Sequence, residues 1–160
     1  MRIIMDSFDY KILFHVQKDS RMTAEKISTE IGLSPAAVQK RLKKLKDNGV
    51  IRAEVALLDP KKMGHPMTVI AEISLERENL NVLDGFKKRM RQAEEVQQCY
   101  YTTGEADFIL VLLVRDIQHY EQFTREYFFG NTAVSKFKTN IVMDSVKVGM
   151  SIPIHENLSK

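Results

Sequence analysis

The side chains best suited to a chemical task are the cations of one short run, AAVQKRLKKLKDNG, residues 36–49. Five cations face a single acid, Asp47; they are Lys40, Arg41, Lys43, Lys44 and Lys46. Lysine and arginine bind backbone phosphates and can contact guanine in the major groove, while the amide of Gln39 can pair bidentately with adenine. A solvated surface helix has the same composition, so the surrounding elements must decide between the two interpretations.

Residues that usually catalyse reactions are few and scattered. The histidines, His15, His65, His119 and His155, form neither an i, i+4 pair nor an H-E-x-x-H motif, so we expect no metal site. Cys99 is the only cysteine, which excludes an intrachain disulfide and a cysteine-rich zinc site. Its place within a strand is typical of a core thiol. No G-x-S-x-G or P-loop motif is present, and we predict a protein that is not an enzyme and needs no cofactor.

The composition indicates a soluble globular chain. Of its 160 residues, 44% are hydrophobic and 28% are charged, which suits one ordinary domain or two small ones. The longest apolar run, Phe108–Val114, is far shorter than the ~20 residues of a membrane-spanning helix. Asp6 and Asp9 lie where a signal peptide would need an apolar stretch, so we expect a cytoplasmic protein with no membrane partner.

The net charge of +3 is unevenly distributed along the chain. Residues 1–60 contain eleven Lys and Arg against eight Asp and Glu, whereas residues 61–160 contain thirteen of each. All the excess positive charge therefore lies in the first third of the chain. This asymmetry is typical of a module that binds a polyanion, joined to a neutral module.

Three helices are predicted around the basic run. The first lies in FDYKILFHVQKDS, and the second, in TAEKISTEIG, begins after the N-cap Thr23 and ends at Gly32. Ser34 caps the third helix, and Pro35 occupies its first position, where a missing N–H costs nothing. Only Gly32, Leu33 and Ser34 connect the second and third helices, and so short a connection predicts a helix-turn-helix.

The third helix has two different faces. Val38, Leu42 and Leu45 recur at helical spacing and should pack inward. The opposite face carries Gln39, Lys40, Lys43 and Lys44. The small residues Ala36 and Ala37 in the first turn allow the helix to enter a major groove closely, where residues near the N-terminus reach base edges. We therefore favour DNA binding over a solvated helix.

The rest of the chain predicts strands and two more helices. Residues 50–64 alternate like two strands broken at Asp59-Pro60, which fits a wing after the third helix. Beyond them we predict strands over 67–75, 96–103, 108–114 and 134–148, with one helix after the first of these and one after the third. This β-α-β-β-α-β order is that of the ferredoxin-like fold, so the fold class is α+β.

A four-stranded antiparallel sheet with both helices on one face leaves its other face open. We expect Ile70, and Tyr100 or Tyr101, on that open face. A second copy of the chain would cover these side chains and form a dimer. The alternative is that they fill the domain's own core, and the sequence does not separate the two.

Motifs along the whole chain resemble those of the Lrp/AsnC (feast/famine) family of transcriptional regulators. In chain order they are D-x-x-D-Y-K-I-L from Asp6, I-G-L-S-P ending at Pro35, R-L-x-x-L from Arg41, G-V-I from Gly49, A-L-L-D-P from Ala56, G-E-A-D-F from Gly104 and V-M-D-S-V-K from Val142. Each motif is weak alone. Their order and spacing over about 140 residues make the match specific.

The resemblance implies a winged helix-turn-helix DNA-binding domain over residues 1–62. It implies a ferredoxin-like domain for effector binding and oligomerisation over residues 63–160. Double-stranded DNA is the implied macromolecular partner, and members of the family form homodimers that assemble to tetramers or octamers. The candidate DNA-binding residues are Thr23, Ser34, Pro35, Ala36, Ala37, Gln39, Lys40, Arg41, Lys43 and Lys44.

The resemblance also implies an amino-acid effector, bound between dimers near a G-[DE]-x-D-[YF] turn. The candidate effector-binding residues are Thr103, Gly104, Glu105, Ala106, Asp107 and Thr139. Glycine admits a ligand close to the backbone, free amides can hold a carboxylate, and an acid can hold an ammonium group. An ordinary hairpin turn would explain the same residues.

One departure bears on the identity of the effector. Some relatives that bind lysine or arginine carry Thr-x-Thr in the last strand, whereas this chain has Phe137 and Lys138 before Thr139. A bulky ring and an extra cation favour a neutral, apolar or sulfur-containing amino acid over a basic one. Some relatives have no known ligand, so the absence of an effector is a further alternative.

Two other functions are weighed against the regulator. Tetrapyrrole (siroheme) decarboxylases resemble this family but are enzymes, and His119 or His155 would then bind a haem-type group. The intact basic third helix argues against that alternative. The other alternative is a stand-alone amino-acid sensor that binds a partner protein, which loss of the basic helix would favour.

Overall fold

The computed structural model describes residues 4–76, 80–129 and 133–154. Two compact units are present: a helical unit that ends at Ala56 and takes in the segment beginning at Lys147, and a sheet unit, Leu57–Val146. The sequence predicts the segment from Lys147 in the second domain, whereas its contacts group it with the helical unit. Gln17 holds it there, because its side-chain amide accepts the N–H of Ile152 and donates to the carbonyl of the same residue, each at 3.1 Å.

The helical unit contains three helices, α1 (Ser7–Val16), α2 (Ala24–Ile31) and α3 (Pro35–Asp47). Short polar side chains cap all three, as expected before an apolar stripe. Asp6 and Asp9 form a reciprocal capping box on α1, Thr23 caps α2 and Ser34 caps α3. Gly32 ends α2 with φ +73°, a left-handed conformation that permits the tight turn into α3. The predicted helix-turn-helix is confirmed.

A small apolar core holds the three helices together. Its fully or nearly fully buried members are Ile12, Ala24, Ile27, Ile31, Val38 and Leu45. Burial of each large aliphatic side chain stabilises the unit by roughly 1.5–3 kcal/mol. Because Val38 and Leu45 of α3 belong to this core, the opposite side of α3 is turned to solvent.

The sheet unit has the predicted ferredoxin-like order. Its elements are β1 (Met67–Leu75), α4 (Leu80–Gln92), β2 (Val96–Tyr101), β3 (Phe108–Val114), α5 (Ile117–Thr124), a π-helical turn (Arg125–Phe129) and β4 (Val134–Ile141). The strands lie in the order β2-β3-β1-β4, and each neighbouring pair is antiparallel. Alternate side chains of β1 and β3 are fully buried with α4 and α5; they include Val69, Ile73, Phe108 and Leu112.

The two strands expected over residues 50–64 are not formed, although all these residues are described. Asp59 begins a turn instead: its carboxylate accepts the N–H of Lys61 at 2.9 Å, and its carbonyl accepts the N–H of Met63 at 3.1 Å. The carbonyl of Pro60 also accepts the N–H of His65 at 2.8 Å. Backbone groups that bond within the turn are not available to pair two strands.

The second and the fourth of the predicted sheet strands are also shorter than expected. The sequence predicted a strand to Val148, but β4 ends at Ile141. Its partner β1 begins at Met67, and the final bond runs from the N–H of Val142 to the carbonyl of Thr68 at 3.0 Å. Beyond that point β4 has no neighbouring strand. Similarly, β2 ends at Tyr101 rather than at 103, because the following residues close a turn.

The register of the sheet settles which aromatic side chains lie on the open face. Ile70 pairs with Val111, and Tyr100 pairs with Ile109. Since side chains alternate along a strand, these residues lie on the face opposite the helices, as predicted for Ile70 and Tyr100. Tyr101 pairs with the buried Phe108 and therefore lies on the helix-covered face.

Candidate nucleic-acid interface and effector turn

The start of α3 is fixed by its own sequence. The hydroxyl of Ser34 accepts the N–H of Ala37 at 3.2 Å, and Pro35 occupies the first helical position. Thr23 does the same for α2, where its hydroxyl accepts the N–H of Lys26 at 3.3 Å. Both hydroxyls therefore cap helices directly. Both capping residues are exposed, so the remaining free N–H groups of each helix N-terminus lie near the surface.

The solvent face of α3 unites most of the predicted DNA-binding residues. The exposed ones are Ser34, Pro35, Ala36, Gln39, Lys40, Lys43 and Lys44, and Ala37 is half-buried beside them. Within the described part of the chain, no carboxylate forms an ion pair with Lys40, Lys43 or Lys44. Lys46, in contrast, is paired with Glu54 at 2.9 Å. Three unpaired ammonium groups therefore stand on one surface, ready to neutralise phosphates.

Arg41 is the exception among the predicted DNA-binding residues. Its guanidinium lies 2.8 Å from a carboxylate oxygen of Asp6 and 2.7 Å from one of Asp9, at the N-terminus of α1. It also lies over the ring of Phe8, 5.6 Å from the ring centre. The structure thus turns Arg41 inward to join α3 to α1. The sequence signal for this contact was the pair of acids three residues apart, which sequence reasoning used only against a signal peptide and as part of a family motif.

The titration of these groups reflects the same contact. Burial acts to raise the pKa of Asp6, but the N–H of Asp9 and the guanidinium of Arg41 bond to the carboxylate and lower it below its ordinary value. The pKa of Arg41 is raised, because Asp9 and Asp6 accept hydrogen bonds from its charged form. Asp9 is only 3% exposed, so its charge has to be balanced inside the protein.

The turn between β2 and β3 carries the predicted effector-binding residues. Gly104 has φ +124°, a conformation that other residues rarely adopt. The hydroxyl of Thr102 donates to the carbonyl of Ala106 at 2.7 Å, which closes the turn. Thr103, Gly104 and Glu105 are exposed at its tip. The Glu105 carboxylate is the exposed acid that could hold the ammonium group of a ligand.

Asp107 has a partner inside the sheet unit. Its carboxylate accepts the N–H of Leu75 at 2.7 Å, and its own N–H donates to the carbonyl of Ile73 at 2.9 Å. These bonds attach the turn to the end of β1. Sequence reasoning offered Asp107 as the acid that holds an ammonium group, and the structure uses it to position the turn.

Thr139, the remaining candidate effector residue, forms its hydrogen bond with α5 and not with the turn between β2 and β3. Its hydroxyl is 2.7 Å from the hydroxyl of Tyr120, a side chain that is 5% exposed. Burial raises the pKa of Tyr120, while the bond to Thr139 acts to lower it. The pairing places Thr139 on the helix-covered face, because it faces Ala71 of β1. Nothing in the sequence indicated the contact between Tyr120 and Thr139.

Two family models match the chain, one within the helical unit and one over the sheet unit and the first residues that follow it. A winged helix-turn-helix DNA-binding model matches residues 5–52, and the model of the Lrp/AsnC ligand-binding domain matches residues 68–152. The chain belongs to the Lrp/AsnC family of transcriptional regulators. Its identification from sequence motifs is thereby confirmed, and so is its fold class.

Similar regulators align with nearly the whole length of this Lrp/AsnC protein. An HTH-type transcriptional regulator of Sinorhizobium fredii is 45% identical over 94% of this chain and 89% of its own length. The transcriptional regulator AzlB of Bacillus subtilis is 34% identical, covering 98% of this chain and 99% of its own. The leucine-responsive regulatory protein of Escherichia coli is 32% identical over 89% of this chain and 87% of its own.

Solved structures agree with the architecture. The complex of a Neisseria meningitidis transcriptional regulator with L-Met has a TM-score of 0.90 at 28% identity, and covers 97% of this chain and 100% of that one. An AsnC-family regulator from Agrobacterium tumefaciens has a TM-score of 0.88 at 30% identity, over 93% of this chain and 97% of that one. The Lrp/AsnC regulator described here therefore has the fold of its family along almost all of its length.

The described residues contain neither a cluster of metal ligands nor a membrane-spanning helix. Among residues 4–76, 80–129 and 133–154, no group of three or more His, Cys, Asp and Glu side chains could hold a metal ion. No helix in those ranges has the length and apolarity that crossing a bilayer requires. His155, one of the two candidate haem ligands, lies outside the described residues.

Proposed function

We propose that this Lrp/AsnC regulator binds double-stranded DNA through the exposed face of α3 and recognises base sequence there. The observation that carries this is the exposed face of α3, on which Lys40, Lys43 and Lys44 are unpaired and Gln39 is exposed beside them. Ala36 leaves room for close approach to a groove floor. We place Arg41 outside the contact set, because its charge is already satisfied by Asp6 and Asp9.

The experiment compares two double variants that remove the same charge. Binding of a fluorescent fragment from the gene's own upstream region is followed by anisotropy over a range of salt concentrations. Lys40→Ala with Lys43→Ala should abolish specific binding. Any residual binding should depend less on salt, because each lost phosphate contact removes about −0.9 from the log–log salt slope. Lys61→Ala with Lys62→Ala, an exposed pair in the sheet unit, should leave binding unchanged. Equal losses in both variants would mean that only overall charge matters, and α3 would not be the reading element.

We also propose that the functional unit is a homodimer formed through the open face of the sheet, with further assembly to tetramers or octamers. Ile70, Tyr100, Ile109, Val111 and Leu113 lie on that face without a covering helix. Half-buried aliphatic and aromatic side chains of this kind are typical of an interface core. Val111→Glu should dissociate the dimer in analytical ultracentrifugation. A dimer that survives this variant would use another surface.

An amino acid bound at the Gly104–Glu105 tip of the turn is the effector that we propose. The Neisseria relative was solved with L-Met, which supports a neutral, sulfur-containing or apolar ligand. A thermal-shift screen of the twenty amino acids tests this, since a ligand that binds the folded state raises the melting temperature by mass action. Glu105→Gln should abolish the shift. Asp107 is a poor test residue, because its replacement also breaks the bond to Leu75.

A catalytic role on tetrapyrroles is not part of the proposed function. His119, the described candidate for a haem ligand, uses both ring nitrogens: Nδ1 accepts the N–H of Arg115 at 3.3 Å, and Nε2 lies 3.2 Å from Glu95. Haem binding would have to break one of these bonds. A Soret band in the purified protein would reverse this inference. Since the relatives named above are bacterial regulators, whose DNA lies in the cytoplasm, we propose that this protein also acts there.

A further inference from the structure

A cavity of about 360 Å³ lies in the sheet unit between α4 and the edge strand β2. Tyr101 and Phe108 pair across β2 and β3 on the helix-covered face, and both line this cavity. It is therefore on the opposite side of the sheet from Ile70 and Tyr100. A second copy that covers the open face would leave the cavity accessible. Its volume lies within the ~300–1,000 Å³ that is typical of small-molecule sites.

The polar wall of the cavity is cationic. Lys87 and Arg91 are four residues apart on α4, so both side chains project from the same side of that helix. The ammonium of Lys87 lies 4.9 Å from the ring centre of Tyr101, which steadies it over the cavity. Asp84 is 3.9 Å from that ammonium and does not line the cavity. None of the lining side chains is an acid.

The floor of the cavity is apolar. The half-buried Val96 and the exposed ring of Tyr101 provide its accessible apolar surface, whereas Met90 and Phe108 border the cavity but are only 2% and 0% exposed. A ligand that fits these walls has a carboxylate at one end and a carbon chain at the other. An amino acid fits poorly, because its ammonium group would face two cations with no acid to hold it. The turn that carries Glu105 has the reverse chemistry.

We propose that this cavity binds an α-keto acid, with its carboxylate at Lys87 and Arg91 and its carbon chain against Val96 and Tyr101. An arginine beside a lysine suits a carboxylate, since a planar guanidinium can donate two parallel hydrogen bonds. This site is additional to the amino-acid site proposed at the Gly104–Glu105 turn.

Cys99 provides a built-in reporter for the cavity. Cys99 is exposed, and the sequence-based prediction of a core thiol was wrong, because edge strand β2 leaves this residue uncovered. Its thiol lines the same wall and is the only thiol in the chain, so a thiol reagent labels one position. Burial raises the pKa of the Cys99 thiol above its ordinary value, against the opposing influence of Arg91 and Lys87. Labelling is therefore measured at mildly alkaline pH, where part of the thiol is ionised. A ligand in the cavity blocks access to the sulfur.

The experiment measures the rate at which a chromogenic disulfide labels Cys99 in the full chain. The ligands, at equal ionic strength, are the α-keto acid of leucine, L-leucine and inorganic phosphate. The keto acid should slow labelling about tenfold when its concentration is about ten times its Kd, because only the free fraction reacts. L-leucine and phosphate should have little effect. No protection by the keto acid, or equal protection by either of the other two, would overturn the proposal.

Charge variants on α4 separate a specific site from general electrostatics. Arg91→Gln should weaken the keto-acid protection at least about tenfold, as expected for loss of a charge-assisted bond to a carboxylate. Lys88→Gln removes the same charge from an exposed neighbour that does not line the cavity. In this variant the keto acid should protect Cys99 from labelling as well as it does in the parent. Equal weakening in both variants would refute the site. Because DNA binding is not part of this readout, failure here leaves the proposed function of α3 untouched.

Discussion

Replacing Arg41 with glutamine separates a structural cation from the DNA-contacting cations beside it on α3. The side chain of Arg41 bonds to Asp6 and Asp9, whereas Lys40 is exposed without an ion pair among the described residues. Sequence reasoning placed both in the DNA-binding set. We expect Arg41→Gln to weaken the fold and Lys40→Gln to weaken DNA binding, each with little effect on the other property.

The magnitude follows from the burial of Asp9. Removing one partner of a buried ion pair costs about 3–5 kcal/mol, because the remaining charge is left unbalanced. Two observations reduce this figure. The side chain of Arg41 is 29% exposed, so water screens part of the interaction, and Asp9 keeps a hydrogen bond from the N–H of Asp6 at 3.2 Å. We therefore expect Arg41→Gln to lower the free energy of unfolding by about 2 kcal/mol.

Urea denaturation followed by circular dichroism measures this loss. With a slope of ~1–3 kcal/mol per molar urea, a loss of about 2 kcal/mol lowers the transition midpoint by about 1 M at unchanged slope. The matched variant Lys40→Gln should stay within about 0.5 kcal/mol of the parent, as surface substitutions usually do. DNA binding is compared at a temperature at which both variants are folded. Should Arg41→Gln retain full stability and reduce the salt dependence of DNA binding, the inward role of Arg41 would be refuted.

Three further outcomes follow from the same contacts. Ser34→Ala should destabilise the helical unit by about 0.5–2 kcal/mol in thermal unfolding, because α3 loses its cap, whereas Ser34→Asp should retain stability. Gly104→Ala should cost about 1–3 kcal/mol from backbone strain at φ +124°, and should also abolish any effector-induced thermal shift. The lowered pKa of Asp6 means that its contribution is complete above the ordinary carboxyl value near pH 4 and is lost as the pH falls through the lower folded value. Acid titration of unfolding in the parent and in Asp6→Asn should therefore agree in shape near neutral pH and differ below about pH 4.

Short-range chemistry made most of the secondary structure predictable. Ser34, Pro35 and Gly32 define the start of α3 and the turn before it through caps and backbone conformation alone, and these act within a few residues. Apolar periodicity likewise identified the face of α3 that packs inward, since Val38 and Leu45 are buried where expected. The outward face and its lysines followed from the same pattern.

Partners distant in the sequence were decided only by tertiary structure. Arg41 has the composition and position of a DNA-contacting residue, and only the approach of α1 shows that Asp6 and Asp9 already neutralise it. Asp107 bonds to Leu75, and Tyr120 to Thr139, because strands and helices from separate parts of the chain meet there. A polar side chain has the same identity whether it faces water or another residue, so its sequence neighbours cannot reveal which partner it has.

The ends of the strands show the same division. The alternation in the sequence continues past Ile141, but the pairing of β4 with β1 ends near the start of β1, where Ile141 pairs with Val69 and Val142 bonds to Thr68. A strand exists only where a second strand supplies hydrogen-bond partners, and that length is a property of the pair. Local caps and periodicity therefore determined which elements form and which faces are apolar. The packed structure determined where strands end, which charges are already neutralised, and where α4 and β2 enclose a cationic cavity.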